Sequence, residues 1–187
     1  MKFLIEHLEP KLYRWCLLEY KHISERVGKK NVIFTNVNAR DKAKLSKFGE
    51  VYTKKVAKLE LEKTCILDPY AKEKLKPADA RKSGYFIFGG ILGNNPAEGR
   101  TKKLTEQMPK AARRNLGKRQ LSTDTAVIVA KLILTGIPFE KIQFQDELEI
   151  ETGEDESVVL PYPYVVKDGK AVVSKELVAY LKRKKGF

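Results

Sequence analysis

Cysteine and histidine are scarce in this sequence of 187 residues. The two cysteines, Cys16 and Cys65, lie far apart without a CxxC motif, and the two histidines are His7 and His22. This pattern excludes a standard zinc site, which needs about four ligands at short spacings, and it argues against a disulfide scaffold. We therefore expect no bound metal, and we interpret both cysteines as core residues.

Long hydrophobic runs are also missing. No stretch approaches the roughly 20 apolar residues of a membrane-spanning helix. Segment 1–7 reaches a charge too early for the apolar region of a signal peptide. We therefore expect a soluble, cytoplasmic protein with no membrane partner.

Nucleotide-binding fingerprints are absent as well. The sequence has no GxGxxG motif, and Gly117-Lys118 is followed by Arg119 where a P-loop needs Ser or Thr. These absences argue against a dinucleotide or a nucleoside triphosphate as the ligand.

Positive charge, by contrast, is abundant. Lys and Arg number 37 against 24 acidic residues, which gives a formal net charge of +13 at pH 7. This excess favours polyanionic partners, above all RNA or a ribosomal surface, although a Lys- and Glu-rich surface is also typical of heat-adapted proteins. The densest basic run, from Lys110 to Arg119, is the candidate contact for RNA phosphate.

Strand and helix patterns alternate along most of the chain. Strands are predicted at 3–8, 31–37, 64–67 and 85–88, and helices at 10–27, 41–48, 76–82 and 123–135. Strands separated by helices imply an α/β fold with a mostly parallel sheet that is covered by helices on both faces.

The last part of the chain has a different pattern. Asp168-Gly169 between two apolar runs predicts a β-hairpin over 165–173, and a helix is predicted at 174–185. We therefore divide the chain into a main domain, 1–140, and a C-terminal extension, 141–187, packed on it.

Three glycine- and hydroxyl-bearing segments follow apolar runs. They are Leu67-Asp68-Pro69, the segment from Phe88 through Gly89 and Gly90 to Gly93, and the run from Leu116 to Ala126. In an open α/β sheet the ligand lies where strands give way to loops, and glycines allow it to approach the backbone closely. We interpret these segments as a site that binds its ligand mainly through main-chain groups.

Acidic side chains stand near this predicted site. Glu19 lies within the apolar stripe of the first helix, where it is either a structural ion pair or exposed in a cleft, because burying a lone carboxylate costs too much. Glu6 ends the first strand and is placed to face the ligand crevice. His7 either faces the same crevice or is a satisfied residue at its rim.

The motifs also carry a family resemblance that spans most of the chain. They are Ile5-Glu6-His7, Leu18-Glu19-Tyr20, Leu67-Asp68-Pro69, Phe88–Gly93 and Thr123-Asp124-Thr125-Ala126. Together they resemble the SPOUT methyltransferases, and more closely the SPOUT-type protein arginine N-methyltransferases known from yeast.

The resemblance implies a trefoil-knotted α/β fold that binds S-adenosylmethionine (SAM) in a bent conformation between three loops. The implied cofactor-binding residues are Leu67, Asp68, Pro69, Phe88, Gly89, Gly90, Gly93, Leu116, Gly117, Leu121, Thr123, Thr125 and Ala126. Leu116, Gly117 and Leu121 would wrap the adenosine through backbone groups.

The implied reaction is monomethylation of an arginine in a small-subunit ribosomal protein. A guanidinium has a pKa above about 12, so it arrives charged and must lose a proton as the methyl group is transferred. Carboxylates are needed to hold it and to accept that proton, and we predict Glu19 and Asp124, with Glu6, as the catalytic residues.

Two other functions stay open on the sequence alone. A SPOUT enzyme that methylates tRNA or rRNA suits the positive charge, and a non-catalytic RNA-binding module would keep the fold without the reaction. The sequence is compatible with a monomer or a homodimer.

Overall fold

The computed structural model describes residues 1–90, 101–153 and 156–183. In chain order its elements are β1 (Lys2–His7), α1 (Arg14–Val27), β2 (Val32–Thr35), α2 (Lys42–Leu45), β3 (Glu50–Val51), β4 (Thr64–Leu67), α3 (Asp79–Lys82), β5 (Tyr85–Gly90), α4 (Thr101–Gln107), β6 (Ala112–Arg114), α5 (Thr123–Leu134), β7 (Phe144–Gln145), β8 (Leu148–Glu151), β9 (Ser157–Leu160), β10 (Tyr164–Lys167), β11 (Lys170–Ala171) and α6 (Lys175–Arg183).

The main sheet has six parallel strands in the order β3-β2-β1-β5-β4-β6. Every residue of β2 and of β4 is buried, which is typical of parallel strands covered on both faces. The predicted α/β class with a mostly parallel sheet is confirmed. The trefoil knot stays a prediction.

The alternating side chains of β1 separate the two cores. Phe3 and Ile5 lie in the larger core with α1 and α5, whereas Leu4 packs on the opposite face with Leu104 of α4. Both cysteine thiols are free and buried, and burial raises the pKa of each to about 12. Their prediction as core residues is confirmed.

Helix α1 begins about one turn later than predicted. Tyr13 keeps an extended conformation, and its carbonyl accepts the amide of Leu17 at 3.1 Å. The helix ends at Val27 as predicted, because Gly28 takes φ +88° and donates its amide to Ser24 O at 2.8 Å. Within the described ranges, no helix is long and apolar enough to cross a membrane.

The predicted hairpin is formed by β10 and β11. Asp168 and Gly169 take φ values of +51° and +72°, the left-handed pair that a type I′ turn requires. The extension packs on α1, where Leu18 joins a cluster with Leu177 of α6, and β10 contacts α5. The division of the chain at residue 140 stays a prediction.

Candidate active site

The carboxyl ends of β5, β4 and β6 lie side by side in the sheet, and the three segments singled out in the sequence continue from them. Phe88, Gly89 and Gly90 are the last residues of β5, and Phe88 is buried; Gly93 lies outside the described residues. This convergence at one sheet edge is the arrangement that open α/β folds use to bind a ligand.

Asp68 holds the first segment against β6. Its buried carboxylate accepts hydrogen bonds from Arg113 Nε (3.0 Å) and from the amide of Tyr70 (3.0 Å), and its own amide donates to Arg114 O (2.8 Å). Leu67 is buried and Pro69 is exposed. Asp68 therefore fixes the position of the loop by an internal ion pair.

Asn115, which sequence reasoning missed, joins the first and third segments. Its side chain donates to Ala71 O (2.8 Å) and accepts the amide of Gly117 (3.0 Å). Gly117 has φ +94°, and a Cβ there would lie 2.9 Å from the Phe139 ring. The segment around the half-buried Leu116 is irregular in structure, so its main chain is not committed to a helix or a strand.

Packing explains why position 90 is occupied by glycine. A Cβ at this position would overlap the hydroxyl of Tyr20 and would approach Ile5 Cγ2 to 2.8 Å. The Tyr20 hydroxyl itself lies 2.9 Å from His7 Nδ1. The absent side chain therefore lets α1 pack closely against the ends of β1 and β5.

Polar side chains surround the start of α5. Thr123 and Thr125 are buried, and Ser122 Oγ lies 2.9 Å from Thr125 Oγ1. The amide of Ala126 donates to Ser122 O at 2.9 Å, which closes the first turn. The third segment thus enters the core through a hydroxyl-rich turn, directly beside Asp124.

Asp124 is 1% exposed and has a partner on each carboxylate oxygen. Oδ1 accepts from Ser122 Oγ (2.7 Å) and from the amide of Thr125 (2.9 Å), and Oδ2 lies 2.7 Å from His22 Nδ1. These contacts fix the position of the carboxylate at the amino end of α5.

His22 and Arg26, on successive turns of α1, complete this network. Arg26 Nε donates to His22 Nε2 at 2.9 Å, so Nε2 carries no proton. The ring proton therefore lies on Nδ1 and is donated to Asp124 Oδ2. The sequence contains a signal for part of this network, the i, i+4 spacing of His22 and Arg26, but none for the link to α5.

Glu19 is the second buried acid of this region, at 6% exposure. Burial, and then the negative charge of Asp124, raise the pKa of Glu19 well above its ordinary value, and the hydrogen bond from Trp15 Nε1 to Oε1 (3.0 Å) only partly opposes them. Burial and the same two acids raise the pKa of Tyr164, so β10 of the extension adjoins the pair. We define Glu19 and Asp124 as the acid pair.

Glu6 and His7 lie outside the acid pair. Glu6 Oε2 accepts from Thr35 Oγ1 and from the amide of Val56 (2.9 Å), while burial raises its pKa. Glu6 thus fastens the segment after β3 to the sheet. His7 is 4% exposed, and burial lowers its pKa. Its Nδ1 lies 2.9 Å from the Tyr20 hydroxyl, but its buried Nε2 has no hydrogen-bond partner among the described residues, so His7 is not the satisfied residue that one of the two sequence interpretations expected.

The basic run from Lys110 to Arg119 is partly neutralised within the chain. Besides the pair between Arg113 and the first loop, Arg114 Nε lies 3.1 Å from Asp79 Oδ2, and Arg119 forms an ion pair with Asp146. Three of its arginines are therefore committed to internal partners. In the described part of the chain, no group of three or more His, Cys, Asp or Glu side chains is arranged to hold a metal ion.

Comparison with known proteins relates this geometry to a chemistry. A family model described as Protein arginine N-methyltransferase SFM1-like matches residues 2–186. The chain is 37% identical over 202 residues to Protein arginine N-methyltransferase SFM1 of Saccharomyces cerevisiae, covering 98% of this chain and 95% of the relative.

Solved structures agree with this similarity. The yeast arginine methyltransferase SFM1 complexed with SAM matches with a TM-score of 0.88 and 35% identity, over 97% of this chain and 90% of that chain. The dual-specific Trm10 from Thermococcus kodakaraensis matches with a TM-score of 0.60 and 16% identity, over 75% of this chain and 96% of that chain. The second match supports a shared fold alone.

Proposed function

The chain belongs to the SFM1-like family of protein arginine N-methyltransferases, and we propose that it monomethylates an arginine of a small-subunit ribosomal protein in the cytoplasm. The family resemblance found in the sequence motifs is thereby confirmed. SAM is the methyl donor, in keeping with the yeast relative complexed with it. The ribosomal substrate, the single methylation and the cytoplasmic location belong to the proposal.

The residues at the carboxyl edge of the sheet fit SAM. Leu67–Pro69, Phe88–Gly90 and Leu116–Ala126 would hold it, with an irregular main chain and the half-buried Leu116 and Leu121 offered by the third segment. When bound, SAM supplies a methyl group on a positively charged sulfur, which leaves with the electron pair of the broken carbon–sulfur bond.

The acid pair is the observation that carries the proposal. An arginine side chain is a permanent cation, and a buried pair of carboxyl groups next to the third cofactor segment offers it a counter-charge. Asp124 is held in place by its hydrogen bonds, while burial, and then the charge of Asp124, raise the pKa of Glu19 well above its ordinary value. Of the two acids, Glu19 is therefore the one whose ionisation responds to a nearby positive charge.

The incoming guanidinium brings a positive charge next to Glu19. This charge favours the ionised form of Glu19, so Glu19 releases its proton to solvent and pairs with the guanidinium. Asp124 supplies the fixed charge that orients the cation and offsets the two positive charges brought together in the reaction.

Glu19 then acts as the general base. As the nitrogen–carbon bond forms, the guanidinium nitrogen loses a proton to the Glu19 carboxylate, and the product keeps a single positive charge. Glu19 is neutral again and no longer attracts the product, which favours its release. General base catalysis of this kind contributes about 10²–10⁴-fold to a rate.

A transfer assay tests the proposal. Radiolabelled SAM is incubated with the enzyme and unmodified small ribosomal subunits, and RNA and protein are then separated. We expect label in a subunit protein, recovered as monomethylarginine after hydrolysis. Label in the RNA would contradict the proposal and would assign the enzyme to nucleic-acid methylation.

A further inference from the structure

A cleft of ≈480 Å³ lies at the edge of the sheet opposite the cofactor segments. Its lining includes Thr64 and Ala112, the first residues of β4 and β6, and Ser83, which precedes β5. The cofactor segments follow the carboxyl ends of the same strands. Because β5 has six residues, the two sites are separated by about 20 Å.

The floor of this cleft is polar. Thr64 and Ser83 are 8% and 7% exposed, yet neither hydroxyl has a hydrogen-bond partner among the residues that the structure describes. Asp79 beside them is already engaged by Arg114 Nε (3.1 Å) and by the amide of Lys76 (2.9 Å). The floor therefore offers two unused hydroxyl donors beside a neutralised carboxylate.

The rim of the cleft is basic. Lys63, Lys82 and Lys110 are exposed, and none of them forms an ion pair within the described residues. Glu62 is the one acid at the rim besides the paired Asp79 among the lining residues. Unlike the arginines of the 110–119 run, these lysines keep their charge available to a partner.

We propose that this cleft binds a phosphate group of an RNA backbone. Hydroxyl and lysine donors are the groups that contact phosphate oxygens without reading the base sequence, and two hydroxyls that line one cleft suit an anion with several acceptor oxygens. The net charge of +13 gives the long-range attraction that nucleic-acid binding uses. The enzyme then holds RNA about 20 Å from the transferred methyl group, which suits a target protein lying on RNA.

Two charge-matched variants test the role of the rim. Lys63, Lys82 and Lys110 are replaced by glutamate in one variant, and the exposed Lys29, Lys47 and Lys170 in the control. Binding of a short fluorescein-labelled single-stranded RNA is measured by anisotropy over a range of salt concentrations. Each lost phosphate contact reduces the slope of log binding constant against log salt concentration by about 0.7. We therefore expect this slope to be smaller by about 2 for the cleft variant and to change much less for the control.

A third variant tests the floor of the cleft without altering its charge. Thr64→Val combined with Ser83→Ala should weaken RNA binding by about tenfold, since hydrogen bonds to charged groups are strong, and should leave the salt slope unchanged. Equal losses in both lysine variants would overturn the proposal, because net charge alone would then explain binding. The proposal would also be overturned if the cleft lysine variant kept its RNA affinity but lost binding to polyglutamate, because the cleft would then bind an acidic polypeptide. None of these measurements requires methyl transfer.

Discussion

Replacing Glu19 by glutamine is expected to stabilise the protein by an amount that grows with pH. An unfolded glutamate ionises near pH ~4.3, whereas burial and Asp124 raise the pKa of Glu19 in the folded chain. Between these two pKa values the folded state binds one more proton than the unfolded state at this position. The free energy of unfolding therefore falls by about 1.4 kcal/mol for each pH unit, and the glutamine variant lacks this contribution.

Urea unfolding of the wild type and of Glu19→Gln from about pH 5 to about pH 8 measures how the difference in their free energies of unfolding depends on pH. Glu6 and His7 also have shifted pKa values, but they titrate in both proteins and cancel in the difference. Glu25→Gln is the matched control, because Glu25 is an exposed acid on the same helix, and its difference from wild type should stay nearly constant. A constant difference for Glu19→Gln as well would refute the assignment of a raised pKa.

Three further changes probe the same region. Asp124→Asn should reduce turnover at least about 100-fold, because the fixed counter-charge is lost, while calorimetry finds SAM binding unchanged; wild-type turnover would count against its role. His22→Leu removes the donor to Asp124 Oδ2 and should lower the free energy of unfolding by about 2 kcal/mol in urea titrations; a change below about 0.5 kcal/mol would mean that the bond contributes little. Gly90→Ala forces a Cβ onto the Tyr20 hydroxyl and should cost about 1–3 kcal/mol, of which adding Tyr20→Phe restores a large part; no restoration would place the strain elsewhere.

Local signals made parts of the fold predictable. Helix α5 begins at Thr123 as predicted, after Ser122 and with Asp124 in its first turn, and it ends before Gly136 at φ +108°. The hairpin followed from Asp168-Gly169. In both cases the conformation depends on neighbouring residues, whose propensities are visible in sequence, although the Ser122 hydroxyl bonds the side chains of Asp124 and Thr125 and does not cap the helix.

Distant pairings were not predictable. Strand β6 lies in a charged run that has no strand pattern. It pairs with β4, and Asp68 and Asp79 neutralise its Arg113 and Arg114 from 45 and 35 residues away. Such long-range ion pairs leave no periodic signal in the sequence.

The candidate site shows the same limit. Asp124 was a predicted acid, but its link to His22 spans 102 residues, so its fixed geometry came only from the packing of α1 against α5. Glu6 was predicted as a catalytic acid after Glu19 and Asp124, and the fold places Thr35 and Val56 against it. The catalytic roles of these acids stay predictions.

Turnover of Glu19→Gln against Glu25→Gln tests the central claim most directly. Both variants are assayed with saturating small ribosomal subunits and labelled SAM, and SAM affinity is measured separately by calorimetry. We expect wild-type SAM affinity for both variants, wild-type turnover for Glu25→Gln, and a loss of turnover of about 10²–10⁴-fold for Glu19→Gln. Turnover of Glu19→Gln within about twofold of wild type would contradict the assignment of Glu19 as the base, since loss of a general base costs far more.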